Sequence, residues 1–121
     1  VNDNTGQEAV MVLLQIYFIV PAASADNFER MYTDVYVPAL RKQAGYQRSR
    51  CLRLYPAQVT EAIGAAPTEF NYQIMLTFDT EDNRLRWAAS AEHAVAWPQA
   101  VGLANNVAWR GYDVAGHDDV A

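Results

Sequence analysis

The chain has 121 residues, a net charge of −5 and one cysteine, Cys51. That length suits a single domain, and the acidity argues against nucleic acid or an anionic membrane as the main partner. A lone cysteine excludes an intramolecular disulfide and fits a reducing, cytoplasmic setting. Charged residues make up only 19% of the chain and hydrophobic ones 51%, where soluble domains average roughly 25% charged. The shortage of charge points to surface buried against another chain.

The polar opening "VNDNTGQE" lacks the positive charge of a signal-peptide start, so secretion is not indicated; residues 1–9 are expected to be a disordered or flexible segment ahead of a domain spanning 10–114. The apolar run that follows, "AVMVLLQIYFIVPA", is too short to span a bilayer. It reads as a strand, with Val12, Leu14, Ile16, Phe18 and Val20 on one face and Met11, Leu13, Gln15, Tyr17 and Ile19 on the other. Beyond the turn at Pro21, Asp26 and Glu29 have capping-box spacing. Phe28, Met31, Tyr32, Val35 and Ala39 or Leu40 then recur at helical intervals, which predicts an amphipathic helix over about 26–44, with a kink or two abutting helices at Pro38 and an end at Gly45.

"YQRSRCLRLY", Tyr46 to Tyr55, alternates but carries Arg48, Arg50 and Arg53, as edge strands do. The long connection over 56–70 has the length of a functional or mobile loop. "NYQIMLTFD" is a second strongly apolar strand, with Tyr72, Ile74, Leu76 and Phe78 on one face. A helical region capped at Asp79 or Thr80 follows, with expected breaks at Ser90 and at Pro98. A strand over about Val107 to Val114 and a polar tail, 115–121, close the chain.

The order β-α-β-β-α-β predicts an α+β, ferredoxin-like fold with a four-stranded antiparallel sheet, the first and third strands central. The helices can cover one face of that sheet. Nothing else in the chain can cover the other, and several wet apolar side chains forfeit several kcal/mol at about 25 cal/mol per Å². A second copy packed sheet against sheet is the expected cover. The evenly apolar set, Val12 to Val20, should face the helices and the set with Gln15 and Tyr17 the partner.

The stretches "YFIVPAASADNFERMYTDVYVPALRKQAGY" and "FDTEDNRLRWAASAEHAVAW" resemble the dimeric α+β barrel superfamily, and within it the EthD-like branch. The resemblance implies a dimer whose two sheets close a barrel, and a ligand pocket in each subunit between helices and sheet. The superfamily includes cofactor-free monooxygenases, cyclases, isomerases and haem-handling enzymes. Where EthD-like relatives carry His in a His-x-Pro-Leu element, this chain has Tyr36 in "YVPAL". Any acid–base role of that histidine passes here to a phenol, ordinarily of pKa about 10, or is lost.

His93 is the best acid–base candidate, since imidazole titrates near neutrality; its plainer reading is a helix histidine stacked on Trp97, one turn away. Tyr36 reads as a proton donor or ligand anchor, or as a core or rim tyrosine. Trp87, Trp97 and Trp109 suit a slot for a flat ligand, or simply fill the core. Arg50, with Arg48 on the same strand face, suits an acidic substrate or merely guards an edge. Gln15 and Tyr17 suit the dimer interface, and Cys51 a buried filler. The two histidines, His93 and His117, have no partners at metal-ligand spacing, so neither a metal nor a cofactor is expected.

Three functions fit these residues. The first is a cofactor-free monooxygenase, cyclase or isomerase acting on a small aromatic or lactone-like molecule, with His93 and Tyr36 catalytic and Trp87, Trp97 and Arg50 binding. The second is a non-catalytic dimer that binds a small apolar or aromatic ligand. The third is a haem protein ligated by His93.

Overall fold

The structure, a computed structural model, describes residues 10–119; the expected flexible segment 1–9 and the last two residues of the tail lie outside that range. Its first strand, β1 (Val12–Ile19), pairs antiparallel with β3 (Tyr72–Phe78) on one side and with β4 (Asn106–Asp113) on the other. Strand β2 (Tyr46–Arg53) lies outside β3, so the sheet order is β2-β3-β1-β4. The two apolar strands are central and the two arginine-bearing strands are edges, as their compositions require. An interior strand must find apolar neighbours on both sides, while charge on an edge discourages further pairing.

Register places Val12, Leu14, Ile16 and Phe18 beside Phe78, Leu76, Ile74 and Tyr72. This face carries the core: Phe18, Ile74, Leu76 and Phe78 are fully buried together with Phe28 and Leu40 from the helical layer. Each such side chain contributes about 1.5–3 kcal/mol by leaving water. The opposite face holds Leu13, Gln15, Tyr17, Gln73 and Met75, half-buried although no helix lies over them.

The first helical region is a chain of short pieces. A 3₁₀ turn (Ala22–Ser24) leads into α1 (Ala25–Met31), a π-helical turn follows over Tyr32–Tyr36, and α2 (Val37–Arg41) completes the run. The kink expected at Pro38 takes this form. Proline has no N–H for the α-helical ladder, and the widened turn just before it lets Val37 N–H reach Tyr32 C=O instead. The predicted capping box does not form: Ser24 precedes the helix without a side-chain cap, and Asp26 lies within its first turn. Glu29 is drawn away by stronger partners, accepting two hydrogen bonds from Arg53, at 2.7 and 3.0 Å, and one from the Tyr72 hydroxyl. Those bonds hold its carboxyl down at about 2.

Gly45 closes this region with φ +80°, as its position after the helix predicts. The 56–70 connection contains a short helix, α3 (Ala57–Ala62), none of whose residues is buried. The second helical region divides at Ser90 into α4 (Glu81–Ala88) and α5 (Ala91–Gly102). Pro98 does not break α5, contrary to expectation. Both Pro98 and Ala94, whose carbonyl loses its donor, lie on the exposed side, so that carbonyl is open to solvent and its lost bond costs little.

Candidate functional site

The site lies between β1, the π-helical turn and the α4–α5 corner. Leu14 and Ile16 form its floor because alternation turns them toward the helices. Ser90 builds the corner: its hydroxyl donates to the Trp87 carbonyl at 2.7 Å and accepts the His93 N–H at 3.1 Å. One N-cap residue thereby fixes the last turn of α4 and the first turn of α5. Thr80 caps α4 in the same way, accepting the Asn83 N–H at 3.1 Å.

These elements enclose a cavity of about 200 Å³ whose lining includes Tyr36, Trp87, His93, Trp97 and Trp109. The rings interlock. Trp87 meets Tyr36 edge to face at 5.7 Å and His93 edge to face at 4.9 Å. His93 stacks on Trp97, 17° from parallel at 5.9 Å, and Trp97 meets Trp109 edge to face at 5.7 Å. All three tryptophans of the chain therefore wall one cavity.

Tyr36 is fully buried, and its hydroxyl is the one buried side-chain polar atom without a hydrogen-bond partner among the described residues. Burying a hydroxyl unpaired costs about 1–3 kcal/mol. Desolvation also drives its pKa far above the ordinary tyrosine value, so the group is a neutral phenol with a donor to spare. Burial pushes the half-buried His93 imidazole the other way, below its ordinary value, which favours the neutral ring. The cavity thus offers apolar walls, one unengaged O–H donor and one neutral imidazole.

Four of the five residues singled out from sequence, His93, Tyr36, Trp87 and Trp97, line this cavity, and His93 makes the expected stack on Trp97 as well. Arg50 does not join them. It pairs with Met75, and a bulge between Tyr46 and Arg48 sets the alternation of β2 so that Arg48 and Arg50 point to the helix-free face. There they line a separate cavity of about 230 Å³ with Leu13, Met75 and the tail residues His117 and Asp119. Arg48 pairs with Asp119 at 3.1 Å in that cavity. Gln15 and Tyr17 lie on the same face and bond each other at 3.0 Å, with Gln15 also donating to Gln73 at 3.3 Å. Cys51 is partly buried toward the core, its thiol pushed up to about 11 by desolvation.

Sequence reasoning missed Arg84, which also lines the aromatic cavity and is held by two bonds to Glu81, at 2.7 and 2.6 Å. Its position one helical turn before Trp87 was the available sign. Among the described residues no three His, Cys, Asp or Glu side chains gather as a metal-binding group, and no helix is long and apolar enough to cross a membrane.

No protein-family model matches this chain, and no curated protein matches its sequence. Solved structures match it well. SnoaB, a cofactor-independent oxygenase from Streptomyces nogalater, superposes with a TM-score of 0.67 at 16% identity, covering 90% of this chain and 97% of its own. An EthD family protein from Bacillus halodurans c-125 gives 0.64 at 15% identity, covering 85% and 97%. A dimeric ferredoxin-like protein of unknown function from Jannaschia sp. CCS1 gives 0.68 at 14% identity, covering 86% and 99%. At these identities the likeness establishes the fold alone: a ferredoxin-like β-α-β-β-α-β arrangement with a four-stranded antiparallel sheet.

Proposed function

We propose that this chain forms a homodimer, each subunit of which binds a small hydroxylated aromatic molecule between Tyr36 and His93 and oxygenates it without a bound cofactor. The observation that carries the reading is the buried Tyr36 hydroxyl, which lacks a partner in a cavity walled by aromatic rings. A ligand oxygen placed there supplies the missing acceptor, and the rings supply stacking surface. The same fold in a cofactor-independent oxygenase supports the choice of reaction. Dimer formation is supported by the helix-free sheet face, which carries Leu13, Tyr17 and Met75, and by the same fold in a dimeric protein.

In this reading, neutral His93 accepts the phenolic proton of the substrate while the Tyr36 O–H steadies the resulting oxyanion. The electron-rich ring then reacts with dioxygen. With 1-naphthol the balance closes: one oxygen atom enters the ring, the other leaves as water with two hydrogens drawn from the substrate, and the product is 1,4-naphthoquinone. No external reductant is needed. Arg50 would then serve the subunit interface and not this cavity.

Incubating the purified protein with 1-naphthol under ¹⁸O₂ tests the reaction. Labelled naphthoquinone, formed at least tenfold more slowly by His93→Phe and by Tyr36→Phe, is the expected result. If 1-naphthol binds but is recovered unchanged, the pocket serves binding alone and the oxygenase reading falls.

A further inference from the structure

A third cavity, of about 390 Å³, lies beside the aromatic one and shares Leu14, Arg84 and Trp109 with it. Its own lining adds Gly111 and the polar side chains of Glu81 and Asp113. Gly111 sits in β4 directly opposite Leu14 and two residues from Trp109, on the face that carries the aromatic cavity. Its backbone has no need of glycine, for the only glycines with positive φ among the described residues are Gly45 and Gly64. A Cβ added at Gly111 would find its nearest neighbour, the Leu14 Cδ1, 4.0 Å away, so packing does not demand glycine either. Glycine weakens a strand by adding entropy to the unfolded chain and removing a packing group. At Gly111 the remaining consequence of the missing side chain is open space in the outer cavity, beside Leu14, which lines both cavities.

We infer that Gly111 keeps open a passage from the aromatic cavity to the outer one, so that the site takes an aromatic ligand longer than two fused rings, its hydroxylated end at Tyr36 and its far end beyond Gly111. The inference rests on the ligand-binding reading of the aromatic cavity. The sizes agree with it. A void of about 150 Å³ holds a single benzene ring, so the inner cavity, at about 200 Å³, has room for little more than a fused bicycle. Drug-sized ligands occupy roughly 300–1,000 Å³, which the inner cavity reaches only by continuing into the outer one. Trp109, 60% exposed, stands at the junction as a surface over which the extension can lie.

Isothermal titration calorimetry of 1-naphthol and 6-phenyl-1-naphthol, which differ only by a ring at the far end, tests the passage. The wild type is expected to bind the phenyl compound at least tenfold tighter. Gly111→Val, a substitution suited to a strand, should abolish that advantage while leaving 1-naphthol within twofold, and Gly111→Ala should fall between. Circular dichroism checks that each variant is folded, and the graded alanine result keeps the test valid if valine disturbs the strand. If both variants bind 1-naphthol normally and keep the phenyl advantage, the passage is refuted and the pocket reading stands. If the wild type binds neither compound, the pocket reading itself fails and takes the passage with it.

Discussion

Tyr36 and His93 show how burial changes two ordinary side chains in opposite senses. The tyrosine becomes a neutral donor, and the histidine is held in its neutral form, free to act as an acceptor. Burial is the cause in each case, so both effects follow from where the α4–α5 corner and the π-helical turn place the rings. The sign for His93 can be followed through. At neutral pH the ring is uncharged in both folded and unfolded chains. As pH falls through the ordinary histidine value, near 6.5, the unfolded chain takes up the proton first, and stability drops. Thermal unfolding should therefore worsen between about pH 7.5 and 5.5 more in the wild type than in His93→Gln. The difference should stay below about 1 kcal/mol because the ring is only half-buried. Parallel pH profiles for the two proteins would refute the assignment.

At the scale of elements, the turn at Gly45 joins the first helical region to the sheet with little tolerance. An added Cβ would run into the Asp79 carboxylate and the Asn83 amide nitrogen, and would lie 2.9 Å from the Asn83 Cβ. Gly45 also accepts the Asp79 N–H at 2.9 Å, which ties the start of β2 to the end of β3. The positive φ alone costs an alanine about 1–2 kcal/mol, and displacing the Asp79–Asn83 pair, bonded at 2.8 Å, adds to that. Gly45→Ala should lower denaturant-measured stability by more than about 2 kcal/mol; a loss below about 0.5 kcal/mol would show that the junction is looser than its geometry.

The same elements mark what the sequence makes legible. Strand faces follow from alternation, so the inward set from Val12 to Phe18 and its partners from Tyr72 to Phe78 are readable by eye. The central and edge strands follow from where the arginines fall. Helix punctuation is less legible, because proline and capping residues act through their surroundings. Pro38 produces a π-helical turn at the buried Tyr36, whereas Pro98 leaves an exposed helix continuous. Asp26 and Glu29 have the spacing of a cap, yet Arg53 and Tyr72, brought near only by the fold, claim Glu29. Alternation put Arg48 and Arg50 on one face of β2, but which face that is depends on the bulge between Tyr46 and Arg48. The aromatic composition of the site was legible, but its open neighbour at Gly111 was not, since a missing side chain shows its consequence only once its neighbours are in place.

For the molecule as a whole, the account joins two faces of one sheet. The helix-covered face holds the cavity, and the other, with Leu13, Tyr17 and Met75, is assigned to a second copy. Met75 faces Gln15 on β1 and Arg50 on β2. A lysine at Met75 would place a second positive charge beside Arg50 within that interface. Met75→Lys should therefore sediment as a monomer at micromolar concentration, with the wild type a dimer. A wild type that sediments as a monomer would remove the dimer from the account and leave the cavity untouched.

The central claim is that the Tyr36 hydroxyl goes unpaired in the empty protein because its partner is a ligand. Tyr36→Phe measures this directly through unfolding and 1-naphthol calorimetry on the same samples. Removing the hydroxyl should stabilise the empty protein by about 1 kcal/mol, since an unpaired polar group leaves the core. It should also weaken 1-naphthol binding by roughly three- to tenfold, since a hydrogen bond of about 0.5–1.5 kcal/mol is lost. A variant that is less stable than the wild type and binds 1-naphthol equally well would contradict the account.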